Sequence, residues 1–493
     1  MGIRKLNLSF IQDAAMKAFS YSLLLGAMVS CNSPDSAKVK LPNVVFIFTD
    51  DLGYGDLSGY NAESKITTPN IDRLASEGMK FTDAHTSSAV CTPSRYSLLT
   101  GRYCWRTSHK RGVQGGYGLP LITPDRMTLG NLFQQRGYQT AAIGKWHVGM
   151  EWMLKEGAEE QEEETVDHIA PLKVTPIDQG FDYYFGTSGC TSDDGPFAFI
   201  ENRQLIGNPL ERIEDLNVVG DADYIKDVWA AEGWQHEAAD TIYTNKAIEF
   251  ISEQVKNDKP FFAYLALSLP HIPWLPAEFV SGSTGAGPRG DLVALSDYCV
   301  GKIDQVLKDL GVEDNTIVIF SSDNGPRQGI NGHSSAGKLR GLKGQIFEGG
   351  HRVPLVVRWP GKVQVGSVSD ETVCMTDFMA TFAGILGTEL PENAGEDSYD
   401  FSPVLLGQEY SSPLRSSTVH HSGAGAFSIR KGDWKIIFGK VRGGEGPGDP
   451  ETWTKTGYLF NLRQDPYETN NVYDQYPEIV SEMNQLLADY DAI

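Results

Sequence analysis

The stretch "PNVVFIFTDDLGYGDL", residues 42–57, decides the fold. Its run "NVVFIF" (43–48) is continuously apolar instead of alternating, which suits a strand buried on both faces at the centre of a parallel sheet. The run stops at Thr49-Asp50-Asp51. In open α/β sheets ligands bind just beyond the carboxyl ends of the strands, so these two aspartates sit where chemistry is expected.

The same reading extends outward along the chain. "TAAI" runs into Gly144-Lys145-Trp146-His147, "FFAYLALSL" into Pro270-His271, and "TIVIFSS" into Asp323-Asn324-Gly325. Four predicted strands thus deliver carboxylates, an amide, a lysine and two histidines to one edge. Between them lie amphipathic segments. "TPNIDRLASEGMKF" reads as a helix capped by Thr68, with Pro69 at its first position and Gly78 near its end, and residues 126–137, 236–256 and 291–311 read as further helices. This alternation predicts an α/β fold with a large, mostly parallel sheet sandwiched by helices. From about residue 386 the pattern changes. "STVHHSG", "AFSIRKGDWKIIFG" and "GYLFNLRQDPYE" read as short antiparallel strands and "PEIVSEMNQLLADY" as a terminal helix, so 42–385 is expected to be the main domain and 386–493 a smaller subdomain. The acidic run at 156–165 reads as a solvated loop insertion.

Bulk composition narrows the partners. The 493 residues are 40% hydrophobic and 22% charged, and 42 Lys+Arg against 64 Asp+Glu gives 42 − 64 = −22, which argues against a nucleic-acid backbone as partner. An anionic small substrate then requires a local cluster of cations. The start has the pattern of an export signal over residues 1–31, with Lys17, the apolar run "AFSYSLLLGAMVS" and Cys31, and the run is too short to span a bilayer. Asp13 is out of place in a basic leader, which makes Met16 a candidate start. Small residues just ahead of Cys31 resemble a bacterial lipoprotein processing site; the other reading is plain secretion. The remaining cysteines, at 91, 104, 190, 299 and 374, lack zinc or redox spacing and leave room for at most two disulfides among four of them.

Asp50, Asp51, Asp323 and Asn324 form a set of oxygen donors suited to a hard cation such as Ca²⁺ or Mg²⁺, with helix capping as the alternative. Adjacent aspartates at the end of a buried strand repel unless a cation neutralises them. Arg95, Lys145 and Lys343 are the cations that could hold a tetrahedral anion. His147 and His271 are candidates for proton transfer, against the alternative that each packs beside its neighbouring tryptophan.

"CTPSRYSLLTGR" (91–102) matches in full the C-x-P-S-R-x-x-x-L-T-G-R signature of type I sulfatases, and "GKWHVG" (144–149) is similar to that family's second signature. "TTPNIDRLASEGMKFTDAH", "SSDNG" and "LRGLKGQIFEGGHRVP" also resemble the family, and the motifs run in its order from residue 42 to about 360. Within it the chain is most similar to arylsulfatase A and N-acetylgalactosamine-6-sulfatase relatives. The resemblance implies an alkaline phosphatase-like fold. It also implies that Cys91 is oxidised to formylglycine by a formylglycine-generating or anaerobic sulfatase-maturating enzyme. The hydrated aldehyde would attack sulfur through one hydroxyl and expel sulfate by deprotonation of the other. One Ca²⁺ per chain would be held by Asp50, Asp51, Asp323 and Asn324, with the modified Cys91 beside it. Arg95 would hold the formylglycine and metal side, Lys145 and Lys343 would stabilise the sulfuryl oxygens, His271 would be the general acid and His147 the base for sulfate release.

The expected substrate is a sulfated carbohydrate. An exo-acting enzyme on 6-O-sulfated galactose or N-acetylgalactosamine is favoured, with algal polysaccharide fragments as the alternative. Trp105, His109, Trp146 and Trp274 are near enough in sequence to stack on a sugar, with core packing as the alternative for the tryptophans, and Asp194 in "TSDDGPF" is a candidate for hydroxyl recognition. The expected location is the periplasm, or the outer membrane through a lipid anchor, of a bacterium. Two rivals remain: a phosphodiesterase or phosphonate hydrolase of the same superfamily, and a glycan-binding protein with Cys91 unmodified.

Overall fold

The central strand, Asn43–Thr49, is buried along its whole length and lies inside a ten-stranded sheet. In this computed structural model, residues 40–191, 195–207, 209–213, 228–438 and 457–490 are described. From one edge the strand order is Ser367–Ser369, Met79–Phe81, Leu355–Arg358, Thr316–Ser322, Asn43–Thr49, Phe261–Ala266, Gln139–Lys145, Tyr183–Thr187, Ile200–Glu201 and Gln204–Leu205. The five strands from Thr316–Ser322 to Tyr183–Thr187 are mutually parallel, and antiparallel pairs begin on either side of them. The sheet is therefore mixed but parallel at its heart, as the apolar runs predict.

Alternate residues of the central strand feed two cores. Val44, Phe46 and Phe48 pack on one face with Phe262, Tyr264 and Phe378, while Val45 and Ile47 pack on the other with Ala263, Leu265 and Val293. Helix Pro69–Ser76 has Pro69 at its start, but the Thr68 side chain does not cap it. Its hydroxyl donates to Asp72 Oδ1 at 3.2 Å instead. Gly78 follows because a Cβ there would lie 2.4 Å from the Val357 carbonyl, closer than a real side chain allows. The helix expected over 291–311 starts a turn earlier, at Gly287, with Pro288 in its first turn, where a missing N–H costs nothing.

Beyond helix Phe378–Leu386, Phe401, Val404 and Leu405 still pack into the larger core. The four-stranded antiparallel sheet runs in sequence order through Thr418–His421, Phe427–Lys431, Trp434–Phe438 and Gly457–Asn461. Its inner face meets the terminal helix Pro477–Asp489 through Val480, Met483 and Leu487, and also Tyr103 and Trp105. Trp105 stacks on Tyr103 at 5.4 Å, so it is a packing residue and not a sugar platform. The five described cysteines are all buried, and the disulfides that the count allowed do not form among them. No helix among the described residues is long and apolar enough to cross a membrane. Cys31 and the leader lie outside the described residues.

Candidate active site

The four strand ends meet. Asp50 N–H donates to the Leu269 carbonyl (2.9 Å), and Asp323 N–H to the Thr49 carbonyl (3.1 Å). Asp51 has φ 63°, in the left-handed region that disfavours a side chain, and its N–H donates to Asp323 Oδ1 at 3.3 Å. Backbone strain here is consistent with a turn forced by its surroundings.

Asp50, Asp51, Asp323 and Asn324 are all fully buried. Asn324 Nδ2 donates to Asp51 Oδ1 at 2.7 Å, and Lys343 Nζ lies 2.9 Å from the Asp51 carboxylate. Lys145 Nζ pairs with Asp50 Oδ2, while Arg95 grips Asp323 Oδ2 through Nε (2.9 Å) and Nη2 (2.8 Å). Burial raises the Asp50 and Asp51 carboxyls, but nearby cations outweigh it, Lys145 foremost for Asp50 and Lys343 for Asp51, and hold both below the ordinary range. Asp323 goes the other way, to about 7, through burial and then the charge of Asp50. Burial disfavours the ammonium groups, yet Asp50 holds Lys145, and Asp51 holds Lys343, firmly charged. Three cations thus converge within a chain of net charge −22.

Two atoms show that a metal fits. Asp50 Oδ1 and Asn324 Oδ1 are buried without a hydrogen-bond partner, a costly state for neighbouring oxygens unless a cation joins them. Ligand atoms of Asp50, Asp51, Cys91 and His271 lie within 4.8 Å of one another. With the Asp323 carboxylate and the Asn324 amide held against Asp51, oxygens outnumber the sulfur and imidazole donors, the donor chemistry of a hard divalent ion.

Cys91 is the first residue of helix Cys91–Thr100, all ten residues of which are buried. Its place at the helix start gives it the positive end of the dipole. Burial and then the charge of Asp50 nevertheless push the thiol up, so at neutral pH it stays protonated and a poor nucleophile. Arg95 sits one turn further on the same face, and its Nη1 donates to the Lys145 carbonyl at 3.2 Å. The helix ends at Gly101, left-handed at φ 65°.

The two histidines are oriented by carbonyls, which can only accept. His271 Nδ1 therefore donates to the Ile272 carbonyl (2.8 Å), leaving Nε2 3.7 Å from Asp51 Oδ2. His147 Nε2 donates to the Gln114 carbonyl (2.6 Å), which makes Nδ1 the basic atom of its neutral ring. Gln114 N–H in turn donates to Thr92 Oγ1 at 3.1 Å, tying His147 to the residue after Cys91. No pattern in the sequence marked Gln114. Arg327, with Nε 3.7 Å from Asp51 Oδ2, was also missed, although it lies three residues past Asn324.

The substrate candidates fare differently. His109 is half-buried, with Nε2 donating to the Gly112 carbonyl at 3.0 Å. Trp274 packs partly against Leu269, Val280 and Leu292. Trp146 is 1% exposed and packs edge-on to Phe181, so it cannot stack on a sugar. Asp194 lies outside the described residues.

Comparison with known proteins finds relatives over nearly the whole chain. A family model described as Sulfatase matches residues 42–388, and one described as N-sulphoglucosamine sulphohydrolase, C-terminal, matches 342–492. An N-acetylgalactosamine-6-O-sulfatase of Bacteroides thetaiotaomicron is 34% identical over 94% of this chain and 96% of its own length. Arylsulfatase A of Bos taurus is 33% identical over 96% of this chain and 92% of its own. A solved structure from work on glycosaminoglycan metabolism by Bacteroides thetaiotaomicron superposes with a TM-score of 0.80 at 33% identity, covering 92% of this chain and 100% of that one.

Proposed function

The chain belongs to the sulfatase family, and on that premise we propose that it removes 6-O-sulfate from galactose or N-acetylgalactosamine units at the ends of sulfated glycans, with Cys91 converted to formylglycine. It is a sulfuric ester hydrolase acting on sulfated glycans. The observation that carries the mechanism is the position of Cys91. It is a protonated thiol at a buried helix start, within reach of the strand-end carboxylates and in a field of three cations. The favoured sugar rests on the 34% identical relative named for N-acetylgalactosamine-6-O-sulfate.

Asp50, Asp51, Asp323 and Asn324 would hold the metal, which we take to be Ca²⁺ because oxygen donors predominate. When bound, the ion supplies polarisation of the sulfate group. Formylglycine at position 91, when formed and hydrated, would supply one hydroxyl for attack on sulfur and a second whose deprotonation would release sulfate. Lys145 and Lys343 bind the sulfuryl oxygens and offset the charge that builds there. Arg95 keeps Asp323 and the helix start in register. His271 donates a proton from Nε2 to the departing sugar oxygen, and His147 takes one up at Nδ1. His109 and Trp274 remain candidates for contacts to the sugar.

Helix Cys91–Thr100 is wholly buried, so the maturating enzyme must read "CTPSR" before the segment folds. Export, lipidation at Cys31 and a periplasmic or outer-membrane position rest on the leader sequence; palmitate labelling that survives Cys31→Ala refutes the anchor. The central test is the mass of the peptide "FTDAHTSSAVCTPSR" from protein made in its native host, together with turnover of matched aryl sulfate and aryl phosphate esters. An alkylatable thiol in every molecule, or preference for the phosphate, overturns the mechanism. Release of sulfate from 4-O- but not 6-O-sulfated N-acetylgalactosamine, or only from algal galactan fragments, overturns the assigned substrate.

A further inference from the structure

Behind the segment that leads into Cys91 lies a second cluster of titratable groups. His85, His351 and His420 are fully buried, with ring nitrogens within 4.8 Å of one another. They come from three distant places. His85 precedes the Cys91 helix by six residues, His351 follows Lys343 by eight, and His420 lies on the first strand of the C-terminal sheet.

The cluster is not a metal site. The rings of His351 and His420 are stacked, with centroids 4.0 Å apart and planes at 11°. An imidazole lone pair lies in the ring plane, so two stacked parallel rings cannot aim at one ion. The Lys435 ammonium also lies 3.0 Å from His351 Nε2.

Hydrogen-bond logic instead assigns the protons of the three rings. An ammonium can only donate, so His351 Nε2 accepts from Lys435 and His351 Nδ1 carries the proton. That Nδ1 donates to His85 Nδ1 at 3.1 Å, and His85 Nε2 donates to Asp83 Oδ1 at 3.0 Å. Arg430 Nη1 also lies 3.2 Å from His85 Nε2, but its proton goes to Asp83 Oδ1 at the shorter 2.7 Å, which leaves Nε2 as a donor. His420 Nδ1 donates to the Thr86 carbonyl at 2.8 Å. All three rings are neutral in this arrangement. The charged groups facing them are Asp83, Glu348 and Glu468 against Arg352, Arg430 and Lys435; they balance without an imidazolium above about pH 7, where Glu468, raised by burial, ionises. Lys435 lies 3.0 Å from Glu348 and 2.9 Å from Glu468, Arg430 lies 2.7 Å from Asp83, and Arg352 lies 3.4 Å from Glu348. Burial, the largest influence on each ring, lowers the pKa of all three, and the carboxylates do not restore it.

The network grips the reaction centre through backbone. Thr86 N–H donates to the His351 carbonyl (2.8 Å), and Gly344 N–H, next to Lys343, donates to the Ala89 carbonyl (2.7 Å). His421 N–H donates to the Ser87 carbonyl (3.1 Å), Ala89 N–H to the His421 carbonyl (3.0 Å), and Gly423 N–H to the Gly344 carbonyl (2.9 Å). Residues 86–90 are thus threaded between the loop of Lys343 and the first hairpin of the C-terminal sheet.

We propose that His85, His351 and His420 are positioning residues for the reaction centre: as neutral rings they lock the segment before Cys91 and the loop carrying Lys343 onto the C-terminal sheet, and protonation of the stack releases the lock. The inference rests on the proposed function only in taking Cys91 and Lys343 as the reaction centre. In the released state each histidine returns to its ordinary value near 6.5, while the locked rings stay neutral to lower pH. The lock is therefore complete above pH 6.5 and weakens as pH falls below it, because only the released state binds the protons. Burial raises Glu468 to about 7 in the locked state, so release frees its proton while the three rings take up theirs. Net uptake is up to two protons, and the ratio of locked to released molecules falls by as much as roughly two decades per pH unit.

The test is hydrogen exchange by mass spectrometry on the full-length protein from pH 7.5 to 5, corrected for intrinsic exchange rates, with His420→Asn in parallel. The asparagine amide keeps a donor for the Thr86 carbonyl but cannot charge. Expected is joint loss of protection in peptides covering 85–100, 342–351 and 418–438 below pH 6.5, while the central strand 43–49 stays protected. In His420→Asn the steepness drops by about one decade per pH unit. The acid limb of kcat on an aryl sulfate follows the same curve, with KM unchanged. Peptide 85–100 staying protected until the whole chain unfolds, or His420→Asn superposing on wild type, overturns the proposal. Should the variant fail to fold, histidine ¹⁵N spectra of the wild type decide. Three neutral rings at pH 7.5, with His351 and His420 protonated at Nδ1, support the lock, and any imidazolium among them refutes it. Exchange needs no turnover, so a failed sulfatase assay leaves this result standing, and the reverse holds as well.

Discussion

Arg95→Ala removes the group that ties the Cys91 helix to the strand-end carboxylates. Both sides of the pair are fully buried, and the guanidinium makes two contacts to Asp323, at 2.9 and 2.8 Å, and one to the Lys145 carbonyl at 3.2 Å. Truncation leaves Asp323 uncompensated beside Asp50, and breaking a buried pair from one side costs about 3–5 kcal/mol. For a compact unit the size of Leu41–Ile493 the unfolding entropy is roughly 1 kcal/mol per kelvin, so the midpoint should fall by about 3–5 °C. The misplaced charges should also cost at least about 100-fold in kcat, the usual size of one lost electrostatic contact at a reaction centre. The assay pairs thermal melting with kcat on an aryl sulfate, using protein whose formylglycine content is matched by mass. Arg95→Lys keeps the charge but cannot form the fork, so it should recover part of the melting temperature and little of the rate. A variant Arg95→Ala that melts within about 1 °C of wild type and keeps kcat within about tenfold refutes the reasoning.

Cys91→Ser should melt within about 2 °C of wild type, since serine nearly matches the buried thiol in size, yet show no multiple turnover because a serine ester has no second hydroxyl to expel sulfate. Asn324→Leu should abolish the Ca²⁺-dependent rise in melting temperature, which for the wild type at 100 times Kd corresponds to about 2.7 kcal/mol; an unchanged rise excludes Asn324 as a ligand. His271→Asn retains a donor for the Ile272 carbonyl but loses Nε2, so it should cost about 10²- to 10⁴-fold on a sugar sulfate and far less on an aryl sulfate whose leaving group needs no proton. Equal losses on both substrates remove His271 as the acid. Arg415→Met breaks the buried contact to Asp377 and the 2.8 Å bond to the Tyr103 hydroxyl, and should cost about 3–5 kcal/mol in chemical denaturation without changing KM.

What was legible in the sequence was whatever chemistry is written locally. An unbroken apolar run such as "NVVFIF" declares burial on both faces, and the residue after it declares the strand end, so Asp50, Asp51, Lys145 and Asp323 could be placed on one edge before any contact was seen. Cys91 and Arg95 share a helix face four residues apart, and the segment that carries them is a linear motif. The disposition of Trp105 and Trp146 was not legible, because an aromatic beside a strand end has the same local pattern whether it faces a core or a cleft.

The sequence by itself therefore determined the fold class, the edge of the sheet on which the strand-end groups lie and the motif that carries Cys91. Only the tertiary structure decided how these groups pair: Arg95 with Asp323, Lys343 with Asp51, Gln114 with His147, and His85, His351 and His420 with one another. The physical reason is separation along the chain. Hydrophobic periodicity reports the next few residues, whereas a contact between residues 85 and 351 depends on sheet order and on which loops are drawn together when two cores and a C-terminal sheet close around them.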